Sequence, residues 1–150
     1  MDLLQLLETS RAEIVGEAAE ALSHARLKHY DIDAEQTRER LATLYDLTVE
    51  CVRQRNLDPM AAHANALAKD RHRMGYDLHE VQTAFNVLEE VIWKRITAEL
   101  TPQQYPEAFG LTSTVLGAGK EALAVEYVSL AGRGRKAETL DLSALFSSTY

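Results

Sequence analysis

The amino-acid sequence predicts an all-α protein, a single bundle of about five helices. Apolar residues recur at spacings of three and four along the whole chain, whereas alternating strand patterns flanked by turn residues are nearly absent. Capping residues and prolines mark the breaks between the periodic stretches. The chain has 150 residues, of which 46% are hydrophobic, and this is enough for one domain with one buried core.

Two helices are predicted before the first proline. The first covers residues 2–29, and Ser10 with Glu13 has the capping-box spacing that would restart it after a break. The segment HYDID then interrupts the pattern, and Asp33 is expected to cap a second helix over 34–55. The buried stripe of this second helix is predicted to be Leu41, Leu44, Tyr45, Thr48, Cys51 and Val52.

The third helix is predicted to begin at a strong stop-and-start signal. Asp58 is a favourable N-cap, and Pro59 fits the first helical position, where no amide donor is needed. The helix runs to the basic end KDRHR, whose charges suit the negative pole of a helix. Gly75 is expected to supply the left-handed residue that follows this end.

The fourth helix is predicted to be the central one. Asp77 and Glu80 have capping-box spacing, and the helix covers residues 78–100. Its apolar residues form one wide face that is expected to contact two neighbours: Leu78, Val81, Ala84, Phe85, Val87, Leu88, Val91, Ile92 and Ile96.

A fifth helix, ending at residue 131, follows the cap-and-proline pair Thr101-Pro102. Its small residues are expected to let another backbone approach closely: Gly117, Ala118, Gly119 and Ala122. The glycines of GRGRK then predict a hinge. The chain is therefore divided into a helical bundle at 1–131 and a hinge with a docking or linker segment at 132–150.

Composition restricts the partners and the compartment. The formal charge of −7 disfavours nucleic acid and anionic membranes, because phosphate attraction dominates such binding. No secretory leader and no apolar run of membrane-spanning length are apparent, so no membrane insertion is expected. The lone Cys51 excludes an internal disulfide and suits a small buried residue in a reducing compartment. We therefore expect a cytoplasmic protein.

No coherent catalytic set is found in the sequence, so the protein is predicted not to be an enzyme. The histidines form neither HExxH nor paired ExxH motifs, and no metal or other cofactor is expected. GRGRK lacks the strand, the Ser or Thr and the following helix of a P-loop. His63 resembles a phosphotransfer histidine poorly, because Lys69 falls off its face. A haem-bearing alternative would use His63, His72 or His79 as an axial ligand.

Seven residues are candidates for contacts with a partner. Arg71 and Arg73 lie in the basic end of the third helix, where helix-end charge is the simpler interpretation, and Tyr76 lies in the connection that follows. Trp93 is a large aromatic residue of a kind found equally at core edges and at interfaces. Three more lie in the apolar carboxyl-terminal segment: Leu142, Leu145 and Phe146.

The stretch KDRHRMGYDLHEVQTAFNVLEEVIWKRI resembles the N-terminal helical domain of RsbRD-type stress-signalling proteins, which also precedes sensor histidine kinases. The resemblance covers residues 2–131 more loosely, including the Asp58-Pro59 start. The matching positions are a basic pair, a glycine and the start of a long amphipathic helix: Arg71, Arg73, Gly75, Leu78, Glu80 and Val81. No output domain is apparent after the bundle in this sequence, so the chain is expected either to act by binding a partner or to be a fragment of a longer regulator that passes its change of state through residues 132–150.

The resemblance implies a non-catalytic bacterial sensory or regulatory domain, a helical bundle related to globin-like sensors that have lost haem. Its partner would be a protein or an output domain of a signalling system, and we expect a homodimer. Signal relay is expected through repacking of the fourth or fifth predicted helix, passed through Gly132 to the carboxyl-terminal segment. The alternative is a small-molecule or haem-binding globin-like sensor domain with a cavity inside the bundle.

Overall fold

Residues 1–25 and 33–134 are described by a computed structural model, and every regular element within them is helical. This confirms the all-α fold class. The six α-helices are α1 (Leu3–Thr9), α2 (Arg11–Ser23), α3 (Ala34–Gln54), α4 (Asp58–Arg73), α5 (Leu78–Glu99) and α6 (Tyr105–Gly134). A short 3-10 helix, Pro102–Gln104, leads into α6. Most of HYDID and all of residues 135–150 lie outside the described residues.

The predicted break at Ser10 is present, but its predicted capping box is wrong. Ser10 is buried, and its side chain makes no capping hydrogen bond to α2. The capping box of this region lies earlier, where the carboxylate of Asp2 accepts from the amide of Gln5 at 2.9 Å. The φ and ψ angles of Ser10, −108° and 16°, lie outside the β region that an N-cap residue usually adopts, and its side chain does not cap α2.

The start of α4 differs from the prediction by one residue. Leu57 is the N-cap, Asp58 is the first helical residue, and the amide of Asp58 donates to the side chain of Asn56 at 3.0 Å. The predicted cap at Asp58 is therefore wrong, because the amide of Ala61 donates to the carbonyl of Leu57 at 3.0 Å and the helix begins one residue earlier. Asp33 does cap α3, since its carboxylate accepts from the amide of Gln36 at 3.1 Å.

The connection from α4 to α5 was predicted correctly. Gly75 has φ +89°, in the left-handed region that glycine adopts without steric cost. The carboxylate of Asp77 accepts from the amide of Glu80 at 2.8 Å, and the amide of Asp77 donates to Glu80 at 3.1 Å. This reciprocal pair is the predicted capping box. It fixes the point at which α5 leaves the turn.

α5 is central in the bundle, as predicted, because it contacts each of the other five α-helices of the described chain. α6 packs most extensively on α4 and α5. The predicted stripe of α3 is buried throughout: Leu41, Leu44, Tyr45, Thr48, Cys51 and Val52. α6 continues through Gly132 to Gly134, three residues beyond the predicted end. No helix within residues 1–25 and 33–134 is long and apolar enough to cross a membrane.

Close packing of α6 on its neighbours depends on Gly119. A Cβ atom at this position would lie 2.5 Å from Cε2 of Phe85 and 3.0 Å from Sδ of Met60. Both neighbouring side chains are fully buried. The small residues of α6 were predicted to let another backbone approach closely, but the close neighbours of Gly119 are the side chains of Phe85 and Met60, and a Cβ atom on Gly117 would meet nothing within 4 Å.

Candidate functional site

The turn between α4 and α5 buries the aromatic ring of Tyr76. The turn holds because the amide of Tyr76 donates to the carbonyl of Arg71 at 2.9 Å, and the amide of Met74 donates to that of Asp70 at 3.1 Å. The left-handed Gly75 between them reverses the chain. As a result Tyr76 is only 7% exposed, although it lies in a connection.

Two arginines converge on Tyr76. Nη1 of Arg40, from α3, donates to the phenol oxygen of Tyr76 at 3.0 Å. The Cζ atoms of Arg40 and Arg71 lie 6.0 Å and 5.6 Å from the centroid of the Tyr76 ring. These distances are within the range of cation–π attraction. The turn, α3 and the end of α4 are therefore joined at one aromatic ring.

Arg71 is buried, and it shares its carboxylate partner with a second arginine. Its guanidinium pairs with the carboxylate of Asp70. The same carboxylate also pairs with Arg73, at 2.7 Å. The Arg73 side chain is itself 78% exposed, so it faces solvent rather than the interior. One carboxylate thus serves two guanidinium groups, of which only the Arg71 group is inside the protein.

A cavity of about 200 Å³ lies beside this pair of arginines, between α3, α4 and α5. Its wall is mostly apolar: Leu22, Leu41, Leu44, Leu67, Val81, Ala84 and Phe85. Its polar lining consists of Arg40, His63 and Arg71 with the hydroxyl residues Thr37 and Thr43. Both threonine hydroxyls donate to backbone carbonyls of α3 or its cap, which leaves the arginines and His63 as the groups able to bind a ligand.

His63 is held neutral by its position in the cavity wall. Burial lowers the pKa of the His63 imidazole, and the positive charge of Arg71 lowers it further. The guanidinium of Arg71 and the imidazole of His63 both line the cavity. We infer that a negatively charged group in the cavity would be favoured over a positively charged one.

Trp93 lies in a separate aromatic cluster. Its ring centroid is 5.2 Å from that of Phe109, and Phe109 is 5.5 Å from Tyr105. The residue is 43% exposed, so it is both a packed core edge and an accessible surface. Both sequence-based interpretations of Trp93 therefore have a physical basis, and the structure leaves its partner role as a prediction.

The structure brings together two of the predicted interaction residues, Arg71 and Tyr76, and separates Arg73, which points to solvent. Leu142, Leu145 and Phe146 lie outside the described residues. Sequence reasoning missed Arg40. The available signal was its position four residues before the buried Leu44, on the same helical face.

The conceivable haem or phosphotransfer histidines have different environments. His63 lines the cavity, whereas His72 is exposed and packs edge-on against Tyr127 at 5.5 Å. His79 is exposed on α5. Within the part of the chain that is described, no three His, Cys, Asp or Glu residues are grouped so that they could hold a metal ion.

The fold and this site define a helical domain with a polar corner, formed by Arg40, Arg71 and Tyr76 at the α4–α5 turn, and an adjoining cavity. The sequence model of one protein family, the RsbT co-antagonist protein rsbRD N-terminal domain, matches residues 5–129 of this chain. The chain therefore belongs to this family, as its resemblance predicted. The family is a regulatory one rather than a known catalytic one. No curated protein and no solved structure matches the chain.

Proposed function

We propose that this protein is a bacterial signalling domain of the cytoplasm that relays a signal by helix repacking and binds a protein partner. Family membership supports the regulatory role. The observation that carries the relay is the position of Tyr127. Its hydroxyl donates to the carbonyl of Tyr76 at 2.9 Å, so it connects the α4–α5 corner to the last third of α6.

The neighbours of Tyr127 on α6 face the opposite way. Val125 is 63% exposed and Val128 is 70% exposed, and they lie three residues apart on one face of the helix. A conformational change at the α4–α5 turn would therefore move a part of α6 whose surface is apolar and accessible. Residues 135–150 follow this part of α6 in the sequence. We propose that this surface and those residues contact the partner or output domain.

Self-association belongs to the same proposal. The aromatic cluster of Trp93, Phe109 and Tyr105 offers an exposed ring already supported by packing, a common feature of residues at the centre of interfaces. We propose a homodimer that uses this cluster, which would leave the carboxyl-terminal part of α6 free for output.

The relay is tested by shortening the chain. Partner proteins crosslinked to the full chain are identified, and their affinities are then measured for the full chain and for chains ending at Ala131 and at Gly134. The Gly134 variant keeps the whole of α6, so it separates loss of helix from loss of the segment that follows. We expect both shortened chains to keep their helical content and to lose partner binding. Unchanged affinity in both would contradict the proposal.

A second candidate function is small-molecule sensing, and the cavity beside Arg40 and Arg71 favours it. The volume of about 200 Å³ suits a small ligand. An apolar cavity of about 150 Å³ holds benzene, and haem has roughly seven times as many non-hydrogen atoms as benzene. The cavity in this state therefore favours a ligand much smaller than haem. A Soret band in protein purified from haem-supplemented cells would instead support the haem alternative.

A further inference from the structure

We propose that the cavity between α3, α4 and α5 binds a small carboxylate with an apolar tail, its carboxylate at Arg40 and Arg71 and its tail against Leu44, Leu67 and Phe85. The inference rests on the proposed regulatory function, for which it names the chemical class of the signal.

The size of the ligand follows from the volume of the cavity. Because the six carbons of benzene fit an apolar cavity of about 150 Å³, a cavity about one third larger holds roughly eight carbons. The measured volume is about 200 Å³. A chain of about eight carbons with one carboxylate is therefore the largest unbranched ligand that the cavity accommodates without expansion.

The charge of the ligand follows from the arginines. Asp70 is the carboxylate within ion-pair distance of Arg71 among the described residues, and Arg73 shares it. Arg40 makes no ion pair within residues 1–25 and 33–134 and donates instead to the Tyr76 phenol. Arg71 and Arg73 thus share one carboxylate, and Arg40 pairs with none among the described residues. Guanidinium groups bind carboxylates through charge-assisted hydrogen bonds, which are strong away from water.

His63, the third polar group of the cavity besides the two arginines, is suited to the same ligand. A neutral imidazole offers one N–H donor, and His63 is kept neutral by burial and by Arg71. A cationic ligand would be repelled by both arginines. An uncharged ligand would leave the guanidinium of Arg40 without a carboxylate partner. A carboxylate accepts hydrogen bonds from guanidinium and imidazole N–H groups, and an alkyl tail attached to it is compatible with the apolar wall.

The position of the site connects ligand binding to α6. Arg40 and Arg71 both lie against the ring of Tyr76, and the carbonyl of Tyr76 accepts the hydrogen bond from Tyr127 of α6. A carboxylate that draws either guanidinium toward the cavity changes the contacts of this ring. The ligand therefore acts on the same residue that joins the corner to α6.

The test is isothermal titration of the full chain with octanoate. Octanamide has the same tail without the charge, and acetate has the charge without the tail. We expect octanoate to bind at least about tenfold more tightly than octanamide and far more tightly than acetate. Octanoate should also raise the melting temperature, because it binds only the folded chain. Equal binding of octanoate and octanamide, or no octanoate binding at about millimolar concentration, would overturn the proposal.

Matched variants locate the site. Arg40→Gln should weaken octanoate binding about tenfold, whereas Arg38→Gln, an equal charge change on the exposed side of α3, should leave it within about twofold. Ala84→Leu should fill the cavity and abolish binding. Equal affinities for the Arg40→Gln and Arg38→Gln variants would overturn the assignment of the carboxylate to Arg40. The comparison of octanoate with octanamide on the unaltered chain decides the question even if a variant fails to fold.

Different results would contradict the proposed ligand site and the proposed regulatory role. Octanoate binding that leaves the affinity for the crosslinked partner unchanged would overturn the regulatory consequence and support the site. Intact partner binding by a chain that shows no octanoate binding would overturn the site alone.

Discussion

The phenol of Tyr127 donates a hydrogen bond of 2.9 Å to the backbone carbonyl of Tyr76, and both residues are buried. Burial also raises the pKa of Tyr127 to about 12, so the phenol stays protonated and remains a donor throughout the physiological range. The bond connects a turn to a helix 51 residues away in sequence. It is the direct tie between the α4–α5 corner and α6.

Removing this bond should destabilise the protein. Tyr127→Phe keeps the ring but leaves the buried carbonyl of Tyr76 without this donor, which typically costs about 1–3 kcal/mol. We expect that loss in the free energy of unfolding from urea denaturation. Tyr105→Phe is the control, because the Tyr105 hydroxyl donates to the carbonyl of Thr97 at an exposed site. Water can replace that donor, so equal losses in the two variants would contradict the buried tie.

Two glycines of α6 should respond in opposite directions to alanine. Gly119→Ala places a methyl group 2.5 Å from the Phe85 ring, and overpacking a core typically costs about 1–3 kcal/mol, more than the helix propensity gained. Gly117→Ala meets no neighbour within 4 Å and should stabilise by about 0.5–1 kcal/mol. Denaturant midpoints measure both. Stabilisation by both substitutions would show that α6 packs less closely than described.

Most of the fold was predictable because helix punctuation is local. The caps at Asp33 and Asp77 and the left-handed Gly75 depend on residues within one turn, and all three were predicted correctly. The caps predicted at Ser10 and Asp58 were wrong, because the backbone of Ser10 is not in the usual N-cap conformation and the helical hydrogen bonding of α4 begins at Leu57. Both outcomes depend on the backbone conformation at the start of a helix, which the spacing of residues in the sequence does not encode.

The candidate site was less predictable than the fold. Periodicity identifies Leu41 and Leu44 as buried, and Arg40 precedes them on the edge of the same stripe. What periodicity does not give is the meeting of α3 with the α4–α5 turn, which brings Arg40 to Tyr76 across 36 residues. The cavity likewise depends on imperfect packing between three helices, and no local pattern reports a void.

The stability of the protein should fall at mildly acidic pH because of His63. Burial and Arg71 lower the pKa of His63, so below about 6.5 the unfolded chain takes up a proton that the folded chain does not. The unfolded state is therefore favoured as the pH falls from about 6.5 toward the lowered pKa. The free energy of unfolding is measured by urea denaturation at about pH 7.5 and about pH 5.5. We expect it to decline less between these two pH values for His63→Gln than for the unaltered protein. Parallel pH profiles would contradict this role for His63.

Self-association should depend on Trp93 more than on other exposed apolar side chains. The ring of Trp93 is supported by Phe109 at 5.2 Å yet is 43% exposed, so a partner can bury it at little cost in side-chain freedom. If Trp93 is central to the homodimer, Trp93→Ala should cost about 2 kcal/mol of association, roughly thirtyfold in the dissociation constant. Met74→Ala is the control, since Met74 is 48% exposed at the α4–α5 turn. Sedimentation equilibrium gives both constants, and equal constants would move the dimer contact away from the aromatic cluster.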